Sequence, residues 1–476
     1  MYWSPHIAAP WSLADLEGIL DDALSVLEEI GIECPHEGLA RRLAGWDGAS
    51  LAGDRVRFAG SQVRDYLEGR RISSTEPPDD GDAAFSLEGC WAGLNYCDPE
   101  TQQIRPATSA EATQMARLWD ARGLSGIVPL LPGDVPPALA TIAAERIGVS
   151  NSRYLGGMLT VTDPEEVRFL IDMNLAVGRR YRLAEQVGIS PLRLNIEGLE
   201  TALRFVDDPD VDVEVSGFIP MAGATCPLDP RSAVVQAVAE TLALEIVCAA
   251  LGLTSTEGLE GEGLELRVEP FDFRYSSIVF GSPEWCLYRA LTLQMTEYLR
   301  GRRERSGRFR SVAKRPNAQA ACERTASVLW QAFLGVRHFG GVGQLSVDEV
   351  FSPQQAVLDR EIVGYVERVI GGLDLGAGEV DAVALIREGV EAGSFMGVAD
   401  TAGRFRSFYH FPDIFRHWNL NTWRAEGEPS ILDEAWARAR EEMATSTFQL
   451  TDDQQKEVDI ICDKARRYLG VSDFYL

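Results

Sequence analysis

Residues 311–320 read Ser-Val-Ala-Lys-Arg-Pro-Asn-Ala-Gln-Ala. The stretch combines a short extended run, a tight polar turn around Pro316 and the start of a helix. The helix is expected to end at Gly335, where 336–340 begins a second apolar run. Two parallel strands need such a helical crossover between them. This is therefore a β-loop-α-β unit, and the loop after its first strand is where units of this kind carry chemistry.

The same grammar extends to both sides. Helix 230–251 is announced by Asp229 as cap, Pro230 in the first turn and Gly252 past the end. Ser282-Pro283 opens another helix, which Gly301 closes. Further helices are expected at 109–121, started by a Thr108/Glu111 capping box, and at 135–147, 163–177 and 354–372. Strands are expected at 127–131, 154–161, 190–196, 213–219, 253–256 and 393–397. About seven or eight βα units between 124 and 400 suit a TIM (β/α)8 barrel. An open doubly wound sheet is the second choice, because no glycine fingerprint follows the first strand.

The expected division has three parts. Residues 1–105 form an N-terminal α+β extension, with an amphipathic helix at 12–31 capped by Ser12 and Asp15 and a β-like patch at 85–96. Residues 106–425 form the barrel. Residues 426–476 form C-terminal helices packed on it.

Composition narrows the function. The 476 residues carry 45 Lys and Arg against 72 Asp and Glu, a net charge of -27. Such a surface repels phosphate backbones and anionic lipid, so nucleic acid and membrane roles are disfavoured. The eight cysteines are scattered, and Cys90 and Cys97 fit no common zinc spacing, so no metal site is expected. His-Glu-x-x-His, Cys-x-x-Cys and Gly-x-Ser-x-Gly are all missing, which argues against common zinc and serine hydrolases. No secretory-type leader and no long apolar run stand out, and a cytoplasmic protein is expected.

In a barrel, the active face is built from the loops 220–229, 257–281, 314–317, 341–353 and 394–412. Loop 220–229 is rich in small residues that let a backbone approach a ligand closely, though it equally suits a turn feeding the cap at Asp229. Loop 257–281 carries Asp272, Phe273, Arg274 and Tyr275, in which the Asp and Arg can simply pair with each other. The run Gly340-Gly341-Val342-Gly343 lacks the Lys-Ser/Thr of a phosphate loop. Segment 395–423 is dense in aromatic and basic residues. They suit packing of the C-terminal tail, or caging of a quaternary ammonium.

These pieces together resemble the trimethylamine methyltransferase family. These are corrinoid-dependent methyltransferases that also include glycine betaine methyltransferases. The resemblance runs from about residue 12 to the C-terminus. It rests on Arg105-Pro106-Ala107-Thr108, on Ala222-Gly223-Ala224-Thr225-Cys226-Pro227, and on Asp272-Phe273-Arg274 followed by Gly281-Ser282-Pro283-Glu284. Ala318-Gln319-Ala320 with Glu323 and Leu358-Asp359-Arg360-Glu361 complete it. Asn317, Cys322 and Asp400-Thr401 depart from the family's usual Asp, aromatic and His-Thr.

The resemblance implies a TIM barrel that moves a methyl group from an amine to Co(I) of a separate corrinoid protein. No corrinoid would be held tightly by this chain, which lacks the Asp-x-His-x-x-Gly motif for ligating cobalamin. The trimethylamine branch carries pyrrolysine and this chain does not, so the glycine betaine-like branch and a quaternary amine are the closer expectation. Asp272, Gln344 and Asp348 are the expected polar groups of the catalytic pocket, with Arg274 for a substrate carboxylate. Phe273, Tyr275, His338 and Phe395 are the expected cage or wall. A homo-oligomer is expected. The alternatives are a non-catalytic binder of methylated amines and a barrel enzyme of unrelated chemistry.

Overall fold

The unit around 311–320 is present, with its first strand shifted upstream. Strand Ser306–Arg308 leads through a turn to helix Ala318–Phe333 and then to strand His338–Gly340. The two strands are parallel, with Ser306, Gly307 and Arg308 opposite His338, Phe339 and Gly340. The Asn317 side chain accepts from Ala320 N at 3.0 Å, which starts the helix. The computed structural model describes residues 10–70, 84–89, 93–157, 161, 163–253, 265–373, 380–471 and 474.

Parallel pairing continues in both directions, and the architecture is α/β. Tyr181–Gln186 runs parallel to Val211–Ser216 along its whole length. Met221–Ala222 pairs with Glu269–Asp272. Single parallel bridges join Gly126 to Leu155 and Gly93 to Leu130.

Residues 86–89, with Gly93, have two parallel neighbours. On one side Ser86–Leu87 pairs with His338–Gly340, and Gly341 N donates to Gly89 O at 3.1 Å. On the other, Gly89 N donates to Ser125 O at 3.0 Å and Gly93 N to Pro129 O at 2.8 Å. A strand from the first hundred residues thus lies between the late strand 338–340 and the segment 125–130.

At two seams, side chains occupy strand backbone groups. Between 265–272 and 306–310, buried Arg289 donates to Leu266 O and, at 3.0 Å, to Ser306 O. Gln331 accepts from Arg308 N and donates to Arg308 O at 2.9 Å. Near 155–157 and 181–182, Arg179 donates to Leu155 O and Ser152 O, each at 2.6 Å. Gly157 there lies so close to Arg182 that a Cβ would stand 2.8 Å from its backbone N.

The helix expectations hold well. Capping boxes at Ser12/Asp15 and Thr108/Glu111 open helices Leu13–Glu29 and Ser109–Arg122. Pro164–Ala176, Pro230–Leu251, Pro283–Arg300 and Pro353–Ile370 start and stop within two residues or so of their signals. Pro230–Leu251 is long and apolar enough to cross a membrane by composition, yet most of it is buried in the core. The expected helix 135–147 lies later, at Ala140–Asn151. Helices Ile431–Thr445 and Asp452–Tyr468 pack on the body, through Arg122–Glu442 at 2.6 Å and Arg146–Asp459 at 2.8 Å.

Two strand expectations need correction, and a third cannot be compared beyond its first residue. The segment 190–196 supplies only Arg193–Leu194, and Ile196 already belongs to helix Ile196–Phe205. The strand there is Tyr181–Gln186, whose Arg182 and Glu185 hide it from a hydrophobic count. Residues 393–397 form no strand. They turn between helices Ala382–Glu391 and Ala399–Phe408, with Gly393 at φ +72°. The expected strand 253–256 falls, beyond Leu253, outside the described residues.

Candidate functional site

The chemistry gathers where strand 306–308 runs out. Residues 311–313 are not paired as a strand, and they anchor a turn instead. Ala313 O accepts from Ser346 N at 2.8 Å and Ser311 O accepts from Val347 N at 3.1 Å. Glu323 fixes this segment from the helix, accepting from Ser311 Oγ at 2.7 Å and Val312 N at 2.9 Å. The turn it holds is strained. Ser346 and Val347 both sit at positive φ, +52° and +68°, which a β-branched residue rarely adopts. Such strain concentrates at functional sites.

From below, the turn is held by Arg324. This fully buried guanidinium donates to Gly341 O at 2.9 Å and to Gln344 O, and pairs with Asp359 at 2.6 Å through Nε. Asp359 in turn accepts from Gly343 N at 2.7 Å. Gln344 and Asp348 are thereby mounted on a braced turn.

Beside it runs a charged wall. Residues 265, 267 and 269 alternate onto one side of their segment, as do 308 and 310 on theirs. Glu265 lies 3.4 to 3.6 Å from Arg289, Arg267 and Arg308. Burial disfavours its charge, but these arginines outweigh that and hold its carboxyl well below the usual range. Glu269 is different. Burial pushes it up despite Arg310 and Arg267, and its Oε2 has no hydrogen-bond partner among the described residues.

Arg310 is the counterpart of Glu269. It is 8% exposed, and its guanidinium stacks 4.0 Å over the Phe280 ring. Its Nε is buried without a partner. Burial pulls its pKa down to about 10, with Glu269 opposing. Asp348 stands exposed on the turn. Desolvation raises its carboxyl and Arg310 opposes the rise. Gln344 Nε2 is also buried and unpartnered. Buried polar groups are normally satisfied, so Glu269, Arg310 and Gln344 mark a place prepared for a ligand. Gly281 makes the packing possible: it has φ +71°, and a Cβ there would lie 2.5 Å from Arg310 O.

Of the expected site residues, Gln344 and Asp348 are brought together on the braced turn. Asp272 and Arg274 stand on the neighbouring loop and are spent on each other, with contacts of 2.6 to 3.2 Å. Arg274 is exposed. Phe273 packs against Gly223 and so joins loop 220–229 to loop 272–281, while Tyr275 projects into solvent at 77% exposure.

His338 and Phe395 do not join this group. His338 begins its strand, at the end away from the 341–349 turn. There it lies 2.8 Å from Ser86 Oγ and 3.1 Å from Glu88 Oε2. Burial pushes Glu88 up, but the His338 hydrogen bond together with the nearby charges, Arg182 and Arg308 among them, outweighs it and lowers its pKa. Phe395 covers Gly389 in the outer helical hairpin. Glu269 and Arg310 are the groups that sequence reading missed. The cue was present: charged residues at alternate positions in otherwise strand-like runs.

The sequence profile described as trimethylamine methyltransferase matches residues 6–467. The chain belongs to the trimethylamine methyltransferase family. Membership makes it a methyltransferase. A family relative, the trimethylamine methyltransferase MttB of Desulfitobacterium hafniense, is 24% identical over 359 residues, 73% of this chain and 70% of that one. MttB2 of Methanosarcina mazei is 25% identical over 279 residues, 58% of this chain and 54% of its own length. The match thus spans about half of that methanogen protein. The crystal structure of the Methanosarcina barkeri monomethylamine methyltransferase aligns over 96% of this chain and 86% of its own, at 11% identity and a TM-score of 0.48.

Within the family pattern, several motif residues have structural tasks here. Arg105 pairs with Asp98 and Glu111, and so fixes the start of helix Ser109–Arg122. Asp359 is the brace under the 341–344 turn. Asn317, where relatives have Asp, still caps its helix, because both side chains present the same acceptor oxygen. Asp400 pairs with Arg404 at 2.7 Å in the outer hairpin.

Proposed function

We propose that this chain takes a methyl group from a quaternary or otherwise methylated amine, glycine betaine-like, and delivers it to Co(I) of a separate corrinoid protein. The observation that carries this reading is the family match over 6–467. The buried polar atoms of Gln344, Glu269 and Arg310, without partners among the described residues, support it. A quaternary nitrogen is already positive, so a neutral amine can leave with the C–N electron pair and needs no proton donor. The corrinoid supplies the nucleophile that takes the methyl group. The chain then has to orient the methyl group, exclude water and stabilise the cation. Glu269 and Asp348 are the carboxyl groups we assign to the last task.

A closed (β/α)8 barrel belongs to the same proposal. In this reading its eighth strand is 86–89, inserted between 338–340 and 125–130, and not 393–397. The parallel pairing of Ser86–Leu87 on one side, and the bonds of Gly89 and Gly93 on the other, support it. The seam from 265–272 to 306–310 is then closed by Arg289 and Gln331.

The test mixes the protein with Co(I) corrinoid and a panel of methylated amines and follows methyl-corrinoid absorbance. Methylation from a quaternary amine is expected. Tight amine binding by calorimetry with no methylation from any member of the panel would favour a non-catalytic binder instead.

A further inference from the structure

Arg310 is a buried guanidinium with no carboxylate within ion-pair distance among the described residues. Its neighbours on the same wall show how unusual that is. Arg289 pairs with Glu304 at 2.8 Å and Arg308 with Glu265 at 3.6 Å. Among the described residues Arg310 has the face of Phe280 at 4.0 Å, and its Nε is unpartnered. Stacking fixes the plane of the guanidinium and leaves its donor edge available, which is the geometry for two-point recognition of a carboxylate. Glu269 and Asp348 flank it, both close enough to feel its charge. A small void of about 10 Å³, lined in part by Glu269, Arg308, Arg310 and Trp285, lies beside it.

We propose that Arg310 is the carboxylate-binding residue of this site, so that the substrate is a zwitterion carrying a carboxylate close to its quaternary ammonium. The inference rests on the methylated-amine reading above. A zwitterion complements the whole arrangement. Its carboxylate satisfies the guanidinium, and its ammonium faces Glu269 and Asp348. A quaternary cation without a carboxylate leaves Arg310 buried and unpaired, and adds a second positive charge next to it. Arg274, the exposed arginine already held by Asp272, is not needed for this role.

The experiment is calorimetric binding of glycine betaine and of choline, which share the trimethylammonium group and differ in the carboxylate. No corrinoid is present, so the result does not depend on methyl transfer. The wild-type chain is expected to prefer betaine. Arg310→Met is expected to lose betaine affinity on the order of 10- to 100-fold, while choline affinity holds or rises. Arg310→Lys keeps the charge, loses the fork, and should fall between them. Melting temperatures confirm that the variants fold. Equal wild-type affinities, no betaine binding, or an Arg310→Met protein with an unchanged betaine-to-choline ratio would each overturn the proposal. If betaine is preferred through Arg310 but no methyl group reaches Co(I), the site assignment stands and the transferase reading fails.

Discussion

Arg324 and Asp359, both fully buried, meet as an ion pair directly beneath the turn that carries Gln344. The pair has further bonds on each side, to Gly341 O, Gln344 O, Gly343 N and the Gln355 amide. Removing one partner leaves the other charged, buried and alone, at a cost of about 3–5 kcal/mol. Arg324→Met and Asp359→Leu should each lose about that much in denaturant unfolding. The double variant should lose less than the sum of the two. Strictly additive losses would show that the charges do not act on each other.

Glu185 titrates in the opposite sense to most carboxylates. Neither of its oxygens has a hydrogen-bond partner among the described residues, and burial raises its pKa to about 8 despite the Val161 backbone. The folded state therefore holds a proton that the unfolded chain releases near the ordinary value of about 4.5. Its stability contribution is complete below that value and is lost as pH rises towards 8. Each unit of the shift corresponds to roughly 1.4 kcal/mol. Glu185→Gln should match the wild type in stability near pH 4.5 and exceed it clearly at pH 8. Thermal unfolding at both pH values checks this. An equal difference at the two would rule out titration of Glu185 as the cause.

Val347 sits in the left-handed region although it is β-branched, which costs on the order of 1–2 kcal/mol. Val347→Gly relieves this strain at the price of a more flexible unfolded chain. The variant should be as stable as the wild type or slightly more so. The turn carrying Asp348 is then less rigid, so methyl transfer should slow. A stable variant with undiminished turnover would detach the strain from function.

How far the sequence could be read follows from where the signals lie. Helix ends were legible because caps are local: Ser12, Thr108, Asp229 and Ser282 each act within one turn. Strand Tyr181–Gln186 was hidden because Arg182 finds its partners in Glu214 and Glu88, on other strands. A forward count of βα units from 124 puts the eighth strand at 393–397. The parallel neighbours of 338–340 include a segment made much earlier, and nothing local in 86–89 announces that pairing. Gln344 and Asp348 stand out in the sequence as polar residues in a loop after an apolar run. Glu269 and Arg310 do not, because what distinguishes them is polar atoms without partners among the described residues.

The placement of segment 86–89 bears on how the chain is made. Ser86 and His338 are 252 positions apart and touch at 2.8 Å. During synthesis, one edge of this early strand stays bare until almost three quarters of the polypeptide has left the ribosome. Contacts this distant in sequence form slowly, because a long loop must close first. An exposed strand edge is also a template for pairing with other chains. Premature termination before residue 338 therefore yields a product with an open edge and a tendency to aggregate, whereas loss of the final helix, Asp452–Tyr468, leaves that edge covered.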